Sequence, residues 1–184
     1  MPTVGFTGTR KGCTPPQMEA LARILAEWLS EADSEFHHGC CIGADAQAVA
    51  IVRKYVNMTH IVAHPGDWPP LQSSESIASS NEVLRCRPNL SRNQDIVNAC
   101  DPIIACPEGP EKKRSGTWFT IRCARNAGKR IVIVHPDGDV VVEARSRNRG
   151  GWVIWLRCAT AWPRECPLYR CRTLARSCAW GRLV

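Results

Sequence analysis

Between residues 3 and 134 the sequence switches repeatedly between two hydrophobic periods, and that switching constrains the fold most. Short β-branched or apolar runs at Thr3–Thr7, Glu35–Cys40, Thr59–Ala63, Pro102–Cys106 and Arg130–Val134 read as strands. Helical patterns separate most of them. In the first, Met18, Leu21, Leu25, Trp28, Leu29 and Ala32 recur at helical spacing, with Glu19, Arg23, Glu27 and Glu31 off the stripe. Thr14 is its expected N-cap and Pro15 its first residue. A second helix follows Gly43 with Ala46, Val49, Val52 and Val56 on one side; a third covers Leu90–Cys100; a fourth runs from Gly116 to a C-cap at Gly128. Such alternation predicts an α/β, three-layer Rossmann-like parallel sheet with helices on both faces. Right-handed crossovers give the expected strand order 3-2-1-4-5 and place a site at the carboxyl ends of strands 1 and 4. Residues 64–88, rich in Pro and Ser, read as a long irregular segment of the kind that carries function or moves.

Length and composition fit this reading. A chain of 184 residues, 44% hydrophobic and 22% charged, can bury a substantial core. The opening Met1-Pro2-Thr3-Val4-Gly5 lacks a basic-then-apolar leader, and no apolar run approaches membrane-spanning length, so a cytoplasmic protein without membrane contact is expected. Eleven cysteines suggest metal or redox chemistry, but no Cys-x-x-Cys occurs. Cys40, Cys106 and Cys123 sit in apolar contexts where a thiol behaves as a small hydrophobe. No metal site and no cofactor is expected.

The predicted topology brings four loops to one sheet edge: Gly8-Thr9-Arg10, Gly39 through Asp45, His64-Pro65-Gly66-Asp67, and Pro107 through Thr117. Gly43 and Gly116 stand where helices begin. Free N–H groups and a partial positive charge at such points favour an anion. The candidate ligand-binding set is Gly8, Thr9, Arg10, Gly39, Gly43, Asp45, Arg92, Asn93, Ser115, Gly116 and Thr117. Each turn alone is also an ordinary cap; convergence on one edge favours phosphate binding. His37-His38, His64 and His135 read as strand-end residues, Lys112-Lys113-Arg114 as a solvated basic loop, and Trp118 as packing rather than stacking on a base. The Gly-x-Gly-x-x-Gly, P-loop and Gly-x-Ser-x-Gly patterns are all absent.

Gly5-Phe6-Thr7-Gly8-Thr9-Arg10, Phe36-His37-His38-Gly39 with Gly43-Ala44-Asp45, Leu90-Ser91-Arg92-Asn93 with Ile96-Val97, and Gly116-Thr117-Trp118 with Ala124-Arg125 and Gly128-Lys129 resemble the SLOG superfamily. That group includes the cytokinin-activating phosphoribohydrolases, often labelled lysine decarboxylase-like, and DNA-processing protein A. The resemblance spans residues 3–138. It implies a nucleotide or nucleotide-derived ligand, with phosphate at Gly116-Thr117 and the base or sugar near the first two loops, in a homodimer. Cleavage of a nucleoside monophosphate at its N-glycosidic bond is the alternative. The hydrolase branch, however, has Pro-Gly-Gly-x-Gly-Thr-x-x-Glu, and its glutamate position is Thr120 here. A neutral hydroxyl cannot replace a carboxylate as base. Among Asp45, Asp67, Glu75, Glu82 and Glu108, Asp45 is the best-placed catalytic substitute, with capping of its own helix an equally good reading.

Charge divides the chain. Residues 1–138 hold 15 Lys+Arg against 14 Asp+Glu, while 139–184 hold nine Arg, no Lys and three acids, or +6 of the total +7. Four of the seven Trp and four of the eleven Cys also lie there. This poorly defined basic extension offers an edge strand at Gly151–Leu156 and two readings beyond it. One is a nucleic-acid-binding appendage, since Arg with interleaved Trp suits phosphate contact and base stacking. The other is a segment that is not a selected domain, resembling shifted-frame translation of GC-rich DNA.

Overall fold

The structure, a computed structural model, describes residues 2–31, 33–56, 59–145 and 152–156. One sheet organises them. Its strands are β1 (Thr3–Gly8), β2 (Glu35–His38), β3 (His60–Ala63), β4 (Glu82–Val83), β5 (Ile103–Cys106), β6 (Ile131–Val134), β7 (Val140–Arg145) and β8 (Trp152–Leu156). Their order is β4-β3-β2-β1-β5-β6-β7-β8. The five strands expected from sequence keep their predicted order within it. β1 through β6 pair in parallel, while β7 and β8 add antiparallel.

β7 was not legible as a strand, because the basic composition after residue 138 obscured Val140-Val141-Val142. These residues pair with Val134, Ile133 and Val132 and continue the sheet past the compositional boundary. The proposed edge strand at 151–156 appears as β8 on the far side of β7. Residues 157–184, which carry the nucleic-acid reading, lie outside the described residues.

Strand alternation feeds two apolar layers. Val4, Phe6, Phe36, Ile61, Ile104, Val132 and Val134 face one layer, shared with α1 (Pro15–Trp28) and α2 (Ala44–Tyr55). Ile103, Ala105, Ile131 and Ile133 face the other, with α4 (Asn89–Ala99) and α5 (Gly116–Asn126). Each fully buried Leu or Ile here contributes roughly 1.5–3 kcal/mol relative to exposure. Gly5 sits where β1 meets α4: an added Cβ would come within 2.6 Å of Ile103 Cδ1 and 3.0 Å of Ile96 and Cys100.

Helix starts follow local chemistry. Thr14 caps α1 as expected, and Gln17 completes a capping box by accepting from the Thr14 N–H. The same Gln17 is buried and donates from Nε2 to the carbonyls of Pro107 and Val134, fastening α1 to the carboxyl ends of β5 and β6. At its other end α1 stops at Trp28, so Leu29 is its C-cap. The segment 64–88 contains a 3₁₀ turn at Pro69–Leu71, the short helix α3 (Ser74–Ala78) and β4. Gly128, at φ 67°, follows the end of α5 as a C-cap glycine should.

Candidate functional site

The carboxyl ends of β1, β2 and β3 carry a closely knit cluster. β1 ends at Gly8, where an added Cβ would stand 2.3 Å from the Ala44 Cβ. Gly43 has φ 85°, and its missing side chain leaves room for the Arg10 carbonyl, 2.3 Å from the position a Cβ would occupy. The Ala44 N–H donates to the Thr9 carbonyl at 3.0 Å. The first two glycine loops are therefore packed backbone against backbone. No side chain caps α2.

Asp45 and Arg92 occupy the interior of this cluster. Asp45 is buried and accepts from the Cys41 N–H at 3.2 Å, with the Gly39 and Gly8 N–H groups also bonding its carboxylate. It thus joins the ends of β1 and β2 instead of capping its own helix, which corrects the capping expectation. Burial pushes its carboxyl up to about 6, against the opposing pull of the Arg92 charge and those three N–H groups.

Arg92, on the first turn of α4, is only 6% exposed. Its Nη2 donates to Cys41 Sγ and to Asn89 Oδ1, each at 3.3 Å, while its Nε is buried without a partner among the described residues. A Cβ on Gly39 would fall 1.4 Å from Arg92 Nη1, and one on Gly66 would fall 2.0 Å from Asn89 Oδ1. Both glycines are thus explained by what lies against them. Asn93 follows on α4, also buried. No side chain caps the start of α4, which Pro88 opens.

The stretch Ser115-Gly116-Thr117 stands apart. Ser115 caps α5 by accepting from the Trp118 N–H at 3.3 Å. Gly116 is exposed, and nothing lies within 4 Å of where its Cβ would be. Thr117 is buried. No hydrogen bond among the described residues joins these three to Asp45 or Arg92. The loops leading to them do meet: Thr9 N–H donates to the Cys106 carbonyl at 3.0 Å, and Lys11 pairs with Glu108 at 2.7 Å. Thr120 is fully buried and donates to the Gly116 carbonyl at 3.1 Å, so its hydroxyl serves the helix. Trp118 packs inside, bonding the Gly109 carbonyl from Nε1 and lying beneath Arg125, in line with the packing reading.

Beside the cluster lies a buried imidazole group at the strand ends where the sequence places His37, His38 and His64, although their mutual contact has no signal there. His37 Nδ1 and His64 Nε2 stand 2.9 Å apart, though 27 residues separate them in sequence. His38 accepts the Cys40 N–H at Nδ1, so its Nε2 carries the proton and donates to Ser80 Oγ at 2.9 Å. Burial lowers the pKa of His38 to about 3 and that of His64 to about 4, with neighbouring positive groups adding to both effects. The other carboxylates considered from sequence, Asp67, Glu75, Glu82 and Glu108, are exposed. His135 is half-buried, and Lys112, Lys113 and Arg114 are exposed. Among the described residues no group of three or more His, Cys, Asp or Glu is arranged to hold a metal ion. None of their helices is long and apolar enough to cross a membrane.

No protein-family model and no curated protein sequence matches the chain. Solved structures do. A molybdenum cofactor binding protein from the phototrophic bacterium Rippkaea orientalis superposes with a TM-score of 0.53 at 19% identity, covering 73% of this chain and 76% of that one. The X-ray structure of TM1055, a structural genomics target, gives 0.51 at 17% identity, covering 71% and 72%. Together with the sheet order and the helices on both faces, these place the chain among Rossmann-like α/β proteins.

Proposed function

We propose that this chain is a SLOG-type protein that binds a nucleotide or nucleotide-derived ligand at the carboxyl edge of its sheet, for sensing or sequestration. The observation that carries this reading is Arg92. A guanidinium 6% exposed, with an unpartnered Nε and only the attraction of the buried Asp45 carboxylate, beyond ion-pair distance, to offset its charge, is an expensive group to keep unless a further anion uses it. It stands at the start of α4, which no side chain caps and which adds positive potential. Gly116 supplies the second support: its open Cβ side lets a phosphate approach the backbone N–H groups at the start of α5. Thr9, Arg10, Ser115 and Thr117 complete the proposed polar lining. The ligand-binding character of one structural neighbour, the molybdenum cofactor binding protein, agrees with a small-molecule role.

Hydrolysis of a nucleoside monophosphate is the second reading, and Asp45 with its raised carboxyl is the observation in its favour. Its burial behind three backbone N–H groups and the inward hydroxyl of Thr120 place binding ahead of turnover. A DNA-binding protein of the DNA-processing type, with contact through the basic residues 139–184, is a further alternative, and a homodimer belongs to the first reading.

A thermal-shift panel of nucleoside mono-, di- and triphosphates, ADP-ribose and NAD, with product analysis on each hit, tests these readings. A ligand at about a hundred times its Kd raises stability by roughly 2.7 kcal/mol. No shift with any phosphate-bearing compound overturns binding; a hit without released base overturns hydrolysis for that compound.

A further inference from the structure

Three large apolar side chains stay exposed around one buried cation. Arg92 is bordered by three segments: its Nη2 donates to Cys41 Sγ and to Asn89 Oδ1, each at 3.3 Å, and lies 3.6 Å from where a Cβ on Gly66 would stand. Ile42 directly follows Cys41, Leu90 directly follows Asn89, and Trp68 comes two residues after Gly66. They are 41%, 56% and 58% exposed, and neither apolar layer includes them. Single exposed apolar residues need no explanation. Here three of the six large ones exposed among the described residues fall within two positions of a residue bordering the same guanidinium.

Trp68 alone of the three has a flat aromatic face, and its backbone is held. Its carbonyl accepts from the Leu71 N–H at 3.1 Å, closing the 3₁₀ turn that Pro69 and Pro70 stiffen. The Leu71 carbonyl accepts from the Ile42 N–H at 2.9 Å, and the Ser73 N–H donates to the Cys40 carbonyl at 2.8 Å. Gln72 Nε2 bonds the Gly66 carbonyl. The turn is thereby fastened to the segment that carries Cys41 and Asp45. Two residues span at most about 7 Å, so Trp68 stays beside Gly66. An indole on so fixed a base is a preformed stacking surface that loses little freedom when something covers it. Because Arg92 is only 6% exposed, an anion that uses it reaches inward while the rest of its molecule stays outside, level with Ile42, Trp68 and Leu90.

We infer that, given the nucleotide reading above, Trp68 is the residue on which the ligand's base stacks, with Ile42 and Leu90 as apolar neighbours of the same rim. The site then selects a flat aromatic heterocycle joined to phosphate over a sugar phosphate or inorganic pyrophosphate. Stacking of this kind accepts any base, since every base has a π-face.

The test is calorimetric titration of the full chain with the mono-, di- and triphosphates of adenosine, guanosine, cytidine and uridine, ADP-ribose and NAD. Ribose 5-phosphate and inorganic pyrophosphate serve as base-free probes. Trp68→Ala should weaken the nucleotides that bind wild type by roughly 5- to 150-fold, the worth of one base–aromatic stack. Base-free probes should not distinguish the two proteins, and Trp68→Phe should recover most of the nucleotide affinity. Nucleotide should also quench tryptophan emission in wild type, with most of that quenching gone in Trp68→Phe although the nucleotide still binds. This second readout decides the matter even if Trp68→Ala folds poorly. Unchanged nucleotide affinity in Trp68→Ala, an equal loss for base-free probes, or quenching retained in Trp68→Phe each overturns the inference and leaves the nucleotide reading standing. A wild-type dimer that Trp68→Ala turns into a monomer with unaltered nucleotide affinity overturns it in favour of an interface between copies. Wild type that binds no nucleotide defeats both the nucleotide reading and this inference.

Discussion

The starts of α2 and α5 look alike in sequence, each a glycine opening a helix after a strand, yet they are different objects. At α2 the fold explains the glycine completely. Gly43 adopts φ 85° with the Arg10 carbonyl pressed against it, and its neighbours Gly39 and Gly8 leave room for Arg92, Asp45 and Ala44. At α5 the fold explains nothing about Gly116, which is exposed, has empty space around its Cβ direction, and follows a serine that already caps the helix. A glycine required by packing says little about ligands. One that packing does not require points outward, to something that approaches the backbone.

The sharpest way to break this comparison is Gly43→Ala. A side chain at that dihedral, against a backbone carbonyl, should cost about 3 kcal/mol or more in urea unfolding. A loss below about 1 kcal/mol would make the two helix starts equivalent.

Acid should separate the regions next. His38 and His64 have pKa values of about 3 and about 4 in the fold against an ordinary 6.5, so their contribution is complete above pH 6.5 and is lost as pH falls through those values. Asp45, raised to about 6, acts oppositely and favours the fold as pH drops below 6. His38 and His64 against Asp45 leave a net loss, of order 3–4 kcal/mol between pH 7 and pH 4, and the burial that lowers the pKa of His37 adds to it. Hydrogen exchange should locate the early opening at β2, β3 and the start of α2, with the α5 side protected longer; a uniform loss would remove the distinction.

Arg92→Met should weaken nucleotide binding by roughly 1.5–3 kcal/mol, the range for a hydrogen bond to a charged group, measured by titration calorimetry. Ser115→Ala should cost about 1 kcal/mol of stability through its cap. Smallest in stability is Gly116→Ala, within about 0.5 kcal/mol of wild type. If that variant also binds nucleotide unchanged, the phosphate site at α5 is wrong and Arg92 stands alone.

Much of this was legible in the sequence because it depends on local rules. Period-2 and period-3.6 patterns located the strands and helices, and Thr14 and Pro15 marked the start of α1. The five-strand order followed from crossover handedness. Gln17 was found only in the structure: its place three residues after the threonine cap fits a capping box but says nothing of its two bonds to the carbonyls after β5 and at the end of β6. β7 was hidden because charge composition over 139–184 masked three consecutive valines, whose pairing partners lie in β6.

What the sequence alone determined was therefore the layered α/β plan and the edge at which the chemistry collects. Only the tertiary structure decided which glycine is structural and which is open, that Asp45 ties two strand ends together, that Arg92 is buried with an unpartnered Nε, and that His37 meets His64. The reason is range. Propensity, periodicity and capping act within about four residues. Burial and hydrogen-bond satisfaction depend on groups as far apart as Gly39 and Arg92, or His37 and His64, which become neighbours only when the sheet assembles.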